Sequence, residues 1–184
     1  MEVSMLKYPT EEDWVLVKKA ALATVDKTIK NPPSLDWKKS ILEARHSPIR
    51  MLHFVFEIRD VPYWVSVHLC RHVHAVPFVR SQRNDRQDKY DRNSARQDAP
   101  VNMMWEMNAE ELCVIANKRL CNMAAKETQE AVREMCSKVI EVCPEFENVL
   151  VPACVYNGKC HEMNGGCHKK VEMSVIFKQT DSGK

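Results

Sequence analysis

Leu52-His53-Phe54-Val55-Phe56-Glu57-Ile58-Arg59 places large apolar side chains at every second position, Leu52, Phe54, Phe56 and Ile58. A period of two predicts a strand with one buried face. Pro62 then opens Pro62-Tyr63-Trp64-Val65-Ser66-Val67-His68-Leu69-Cys70, an apolar run whose proline suits the first turn of a helix. Arg71 and His72 follow at the end of that helix, carried by rigid structure. They begin a segment, Arg71-His72-Val73-His74-Ala75-Val76-Pro77-Phe78-Val79-Arg80-Ser81-Gln82-Arg83, that sets two histidines, three arginines and a serine around an apolar run. Such a segment is suited to holding an anion.

Working outward, Glu2 to Lys7 reads as a short strand. Pro9-Thr10-Glu11-Glu12-Asp13 supplies a cap and an acidic first turn for a helix running to about Lys30. Asn31-Pro32-Pro33 ends it, Ser34 caps a second helix from Leu35 to about Arg45, and His46-Ser47-Pro48 stops that one. Arg80 to Arg96 is a polar, net positive connector closed by Pro100, and the plain reading of its charges is a solvated face. Apolar residues at helical spacing then predict one long helix from Asn108 to about Val142, stopped by Cys143-Pro144. Asn108, Leu112, Ile115 and Arg119 share one stripe of it, so Arg119 emerges beside the apolar face and needs a partner. That partner is either a buried carboxylate of the fold or a ligand. Val171 to Phe177 reads as a last strand. The elements together make a single α+β domain over residues 1–184.

Length and charge agree with this reading. At 184 residues and 21.3 kDa the chain suits one domain with a proper core. A formal charge of +2 and a pI near 8.1 lack the basic excess of a dedicated nucleic-acid binder, so an anionic partner must be held locally. No apolar run approaches the roughly 18 residues of a membrane span, and Met1-Glu2-Val3-Ser4 has no signal layout, so a cytoplasmic location is expected. Of eight cysteines, Cys70, Cys113, Cys121, Cys136 and Cys143 read as reduced small hydrophobes. From about residue 152 a denser group, Cys154, Cys160, Cys167 and His161 with His168, shares its segment with Gly158, Gly165 and Gly166. These residues are candidate zinc ligands. Their C-x5-C and C-x6-C spacings are looser than paired C-x2-C, and a Cys-rich surface loop is the plainer reading.

Several motifs in order resemble the flavin-dependent thymidylate synthases (thymidylate synthase complementing proteins). That family's Arg-His-Arg, seven residues, Ser pattern is matched by Arg71-His72-Val73, seven residues, Ser81. His46 precedes the strand with Phe54-x-Phe56, Ala95-Arg96 and Pro100 match an Ala-Arg-x-x-x-Pro segment, and Asn108-Ala109 matches the start of the family's long helix. Arg119 falls eleven residues along that helix, and Ala124-Ala125-Lys126-Glu127 weakly matches Ala-Gln-Trp-Glu. The resemblance spans about Glu2 to Phe177. It implies an antiparallel sheet with packed helices, including one long helix, and a homotetramer with active sites between subunits. Reduced FAD would relay a methylene group from methylenetetrahydrofolate to C5 of dUMP, with NADPH as reductant. His46, Arg71, His72 and Asn108 would serve the flavin, and Ser81, Arg83, Arg96 and Arg119 would hold dUMP, with no residue acting as a nucleophile.

The chain also departs from that pattern. Val73 replaces the second arginine, Phe78-Val79 an Asn-Glu pair, His68 a glutamine, Glu110 an arginine and Ala125 a glutamine, and the stretch between Ser81 and Arg96 is much shorter. A carboxylate at Glu110 is expected to repel a phosphate. Plainer roles exist for single residues: His46 as a helix-end staple, His72 as a satisfied core histidine, Ser81 as a turn cap. Besides an active synthase, two readings therefore stand, a homologue that binds nucleotide or flavin without methyl transfer and a nucleic-acid or metal-binding module.

Overall fold

The computed structural model describes residues 1–86, 91–163 and 165–167; the strand expected at 171–177 lies outside them. Four antiparallel strands, β1 (Glu2–Lys7), β2 (His53–Pro62), β3 (Val76–Val79) and β4 (Pro100–Asn108), form one sheet in the order β1-β2-β4-β3. The alternation seen first in β2 sets one face of it. Phe54, Phe56 and Ile58 pair across to Met107, Trp105 and Met103, and all six are buried. The neighbouring positions, Val55, Glu57, Met104 and Glu106, fall on the other face.

Two of these strands escape the sequence reading. β4 has the same period of two, with Val101, Met103, Trp105 and Met107 buried and Asn102 and Met104 exposed. Methionine carries little strand preference, and a run bounded by Pro100 and a strong helix signal reads as a connector. β3 was hidden inside the segment from Arg71 to Arg83. Arg80 N–H donates to the Asn102 carbonyl at 2.9 Å, so Arg80 and, two residues back, Phe78 turn their amides toward β4. Pro77 therefore points its ring nitrogen to the free edge, where a missing N–H costs no ladder bond and discourages another strand from adding.

Among the described residues six α-helices accompany the sheet: α1 (Glu11–Ala23), α2 (Leu35–Glu43), α3 (Tyr63–Cys70), α4 (Ala109–Arg119), α5 (Lys126–Val142) and the short α6 (Ala153–Tyr156). Thr10 and Asp13 close a capping box on α1, and Ser34 caps α2. α1 ends at Ala23, well before Lys30. Lys27 N–H reaches the Leu22 carbonyl and Asp26 N–H that of Ala23, with Asp26 left-handed at φ 54, which is a Schellman closure. α2 stops the same way, His46 N–H to Ile41 and Arg45 N–H to Leu42, with Arg45 at φ 51.

The single long helix of the sequence reading is two helices. Residues 120–125 break it, and Gln129 Nε2 reaches back to the carbonyls of Leu120 (3.1 Å) and Cys121 (3.2 Å), which satisfies acceptors that a continuous helix would have used. Leu120, Met123 and Ala124 keep helical spacing through the turn, so periodicity alone conceals it. Inner-face strand residues, Trp14, Val65, Leu69, Leu112, Val132 and Phe146 belong to one core. Phe54 is its centre, edge-on to Phe146 at 5.4 Å and stacked on Phe56 at 6.3 Å. Among the described residues no helix is long and apolar enough to cross a membrane.

Phe54→Ala is expected to destabilise the protein by about 3–5 kcal/mol in chemical denaturation, the usual cost of emptying an aromatic site. Phe78→Ala, on the opposite and open face, is expected to stay within about 0.5 kcal/mol of the parent.

Candidate functional site

The end of α3 and the end of α4 meet beside β4. Arg71 occupies the C-cap of α3 and His72 follows it, 8% exposed, its ring against Trp105 at 6.2 Å. Arg119, the last residue of α4, donates from Nε to His72 Nε2 at 2.9 Å and from Nη2 to the His68 carbonyl at 2.8 Å. That carbonyl belongs to the last turn of α3, where helical acceptors lack partners and a cation is favoured. His68 Nδ1 in turn lies 3.3 Å from the hydroxyl of buried Thr128, which joins α3 to α5.

This geometry fixes the protonation of His72. Nε2 accepts from Arg119, so the ring proton sits on Nδ1 and points at Glu111 Oε1, 3.4 Å away. Burial, then the charges of Arg119 and Arg71, push His72 down to about 4. At neutral pH the contact with Glu111 is thus a neutral imidazole facing a carboxyl, not an ion pair. Burial pushes Glu111 up, and burial with neighbouring Arg71 pushes Arg119 down. The partners of the Arg119 guanidinium are neutral, and the fork holds N–H donors beyond the two in use. Arg71 stands near it and, among the described residues, its side chain makes no hydrogen bond or ion pair. Two guanidiniums side by side without a paired carboxylate favour an anion between them. Trp105 Nε1, against the same ring, is a buried donor with no partner among the described residues.

The other expected site residues are placed differently. Asn108 caps α4, its Oδ1 accepting from Glu111 N–H at 2.9 Å, so its side chain shapes the helix start. His46 precedes the 3-10 turn Ser47–Met51, exposed and without a side-chain cap bond. Ser81 accepts from Arg83 N–H at 3.3 Å, the turn role open to it. Arg83 and Arg96 lie on the β3–β4 connector, each forked onto the aspartate two residues on, Asp85 and Asp98, in exposed pairs. Arg71, His72 and Arg119 are therefore brought together, while Ser81, Arg83, Arg96 and His46 are not bonded to them. No group of three His, Cys, Asp or Glu side chains among the described residues is arranged as a metal centre, and His161 is exposed.

Sequence reasoning overlooked Glu111 and Arg50. Glu111 lies three residues after Asn108, the spacing of a capping box, which could have drawn attention to it. Arg50 pairs with Glu110 and pulls that carboxyl down, so the expected repulsion of a phosphate by Glu110 is largely absorbed within the fold. Arg45, in its left-handed position, is held by Asn117 Oδ1 at 2.9 Å and lies over the Tyr156 ring at 4.7 Å. Nothing in the sequence pairs those three.

A family model described as Thymidylate synthase complementing protein matches residues 87–145, the stretch that contains β4, α4 and α5. Among solved structures, thymidylate synthase X from Helicobacter pylori with FAD and dUMP superposes with a TM-score of 0.64 at 16% identity, covering 82% of this chain and 99% of that one. A UMP/dUMP methylase, PolB, from Streptomyces cacaoi bound with 5-Br dUMP gives 0.61 at 14% identity, covering 82% of this chain and 96% of that one. No curated protein matches the sequence. The fold is thus that of these nucleotide methylases, as the motif order led one to expect.

A folded-state pKa near 4 for His72, against about 6.5 in an unfolded chain, gives stability that is present in full above 6.5 and lost as pH falls through 6.5 toward 4. The raised Glu111 carboxyl opposes this, because its contribution is lost as pH rises. Denaturation midpoints are expected to show a net acid loss of about 2–3 kcal/mol from pH 7 to 4 that His72→Gln, which keeps an acceptor for Arg119 but cannot titrate, removes. An acid limb unchanged in His72→Gln would refute the assignment.

Proposed function

We propose that this chain is an FAD-dependent thymidylate synthase that methylates dUMP to dTMP, with methylenetetrahydrofolate as carbon donor and NADPH as reductant. The observation that carries the reading is the pair Arg71 and Arg119, two neighbouring guanidiniums without a carboxylate partner among the described residues, in a fold shared with enzymes solved with FAD and dUMP. Phosphate is the ligand their planar forks match best.

FAD, when bound, supplies the carbon relay and the reducing electrons. The residues of this chain supply binding and orientation. Arg119 meets the anion with the donors that His72 and the His68 carbonyl leave over. His72, held by Arg119 on one nitrogen and facing Glu111 with the other, aims that guanidinium; a neutral ring serves better here, since an imidazolium would surrender the acceptor. Arg71 adds charge from the α3 cap. Ser81, Arg83 and Arg96 lie on the connector beyond β3, and they join a bound nucleotide by exchanging Asp85 and Asp98 for its phosphate. Such exposed pairs hold their arginines only weakly. Asn108 and His46 sit at the β2–α4 side, where they support the flavin. The open sheet face, with Val76, Phe78 and Met104 exposed, supports assembly into a homotetramer.

Purified protein is expected to show an oxidised-flavin absorption spectrum, or to gain one on adding FAD, and to form dTMP from dUMP, methylenetetrahydrofolate and NADPH. dUMP at about one hundred times its Kd is expected to add roughly 2.7 kcal/mol of stability, a shift in Tm that Arg119→Ala abolishes. Protein that stays colourless with FAD and whose Tm ignores dUMP would sink the proposal.

A further inference from the structure

The sheet has two edges, and they are protected differently. On β3, Pro77 turns its ring nitrogen outward. β1, at the other edge, has no proline, and Val3, Ser4, Met5 and Leu6 in its middle carry no charge. Among the described residues β1 pairs with β2 alone, so alternate residues present an N–H and a C=O outward without a partner. That edge borders an open groove of about 530 Å³, with residues 1–4 on one wall and Glu130, Arg133, Glu134 and Lys138 of α5 on the other. A sheet edge facing a helix across a groove is a layout that receives an added strand.

The helix wall holds a cation that the described fold leaves without a counter-charge. Glu130 lies 3.7 Å from Lys126 and Glu134 3.4 Å from Lys138, whereas Arg133 has no carboxylate partner among the described residues. Its Nη2 donates to Gln129 Oε1 at 3.1 Å, and its Nε is a buried donor with no partner among them. The same side chains lead to the end of the described chain. Gln129 Nε2 donates to Asn122 Oδ1 at 3.4 Å, and Asn122 Nδ2 donates to Cys167 Sγ at 3.8 Å. Only Asn122 and Gln129 therefore stand between Cys167 and Arg133.

We propose that the segment 171–177, which lies outside the described residues, docks in this groove as a further strand on the edge of β1. Val171-Glu172-Met173-Ser174-Val175-Ile176-Phe177 sets apolar residues at every second position and is rich in the β-branched and aromatic types that strands favour. Its start follows Cys167 by four residues, a reach of up to about 13 Å, and Cys167 is already tied to the α5 end of the groove. At roughly 3.4 Å per residue the segment extends about 24 Å, enough to run beside the six residues of β1 and the length of α5. Glu172, near its start, enters beside Arg133 and brings the carboxylate that this guanidinium lacks. The added strand would cover the unprotected edge of the sheet and hold the turn directly after Arg119. The inference rests on the fold and is independent of the proposed enzymatic activity.

Hydrogen exchange of the full-length protein, read by mass spectrometry, is expected to show residues 171–177 protected together with residues 1–7. Neighbouring N–H groups of a strand point to opposite sides, so one of Ser174→Pro and Val175→Pro removes a bond to β1. At least one of the two is expected to abolish the protection of 171–177 and weaken that of 1–7, while β2 and β4 exchange as in the parent. A photoreactive p-benzoylphenylalanine in place of Phe177 is expected to cross-link to β1 or α5 within one chain. Rapid exchange of 171–177 in the parent, protection that survives both prolines, or a cross-link to another part of the fold would each overturn the proposal. A covalent dimer would overturn it in favour of the same segment from a second copy.

Discussion

The bond from Arg119 Nε to His72 Nε2 is the contact on which the geometry of the site depends. A guanidinium at the apolar edge of α4 has lost much of its water, and it needs acceptors to remain there. The fold offers it a neutral ring nitrogen and a helix-terminal carbonyl, both at good distance. Each of these ties a different element: His72 lies against Trp105 of β4, and His68 reaches Thr128 of α5. One side chain thus fixes the ends of α3 and α4 relative to the sheet. A buried salt bridge could have done the same, but it would have cancelled the charge. Neutral partners hold Arg119 in place and leave it positive.

The rest of the charge around α4 follows the same division. At the helix start Glu110 is taken by Arg50, and Glu111 is capped through its amide by Asn108 and faces His72 through its carboxyl. Acidic groups in a first turn are favoured there by the helix dipole, and cations by the last turn. Carboxylates are therefore consumed at one end of α4 while Arg119 and neighbouring Arg71 remain available at the other. Val73, where the resemblance sets a second arginine, is 81% exposed. Its loss removes a cation from the rim and leaves the Arg71, His72 and Arg119 group intact.

β2, α3, and the caps at Thr10 and Ser34 were legible because each rests on local chemistry: a strict alternation, a first-turn proline, a side-chain oxygen three residues before an amide. β4 was not, since its alternating Val101, Met103, Trp105 and Met107 hold one β-branched residue beside two methionines and run straight into a stronger helical pattern. The break at 120–125 was hidden for a related reason, because the apolar residues of the turn keep a spacing of three and four. In the site, the stripe that carries Arg119 was readable as a charge set beside an apolar face, and so was its need for a partner. Which partner it took was not. His72 and His68 lie 47 and 51 residues away in the chain, and only the crossing of α3 over β4 brings them within reach.

That separation also explains how a fold survives at 14–16% identity. The sheet asks only that every second residue of β2 and β4 be apolar and of suitable volume, a demand that Met103 and Met107 meet as well as valine or isoleucine would. Many sequences satisfy it. The end of α3 and the end of α4 ask for more, because a half-buried guanidinium accepts few arrangements of donors and acceptors. Replacing Arg119 would strand the His68 carbonyl and the His72 ring, and replacing His72 with an apolar residue would leave a cation short of an acceptor. The constraint is mutual, so these two positions are expected to change together or not at all, whereas connector arginines that each close on their own aspartate are free to drift. A chain can therefore shorten the connector and lose rim cations while the clasp between its two helices, and the positive charge that the clasp leaves uncancelled, stays in place.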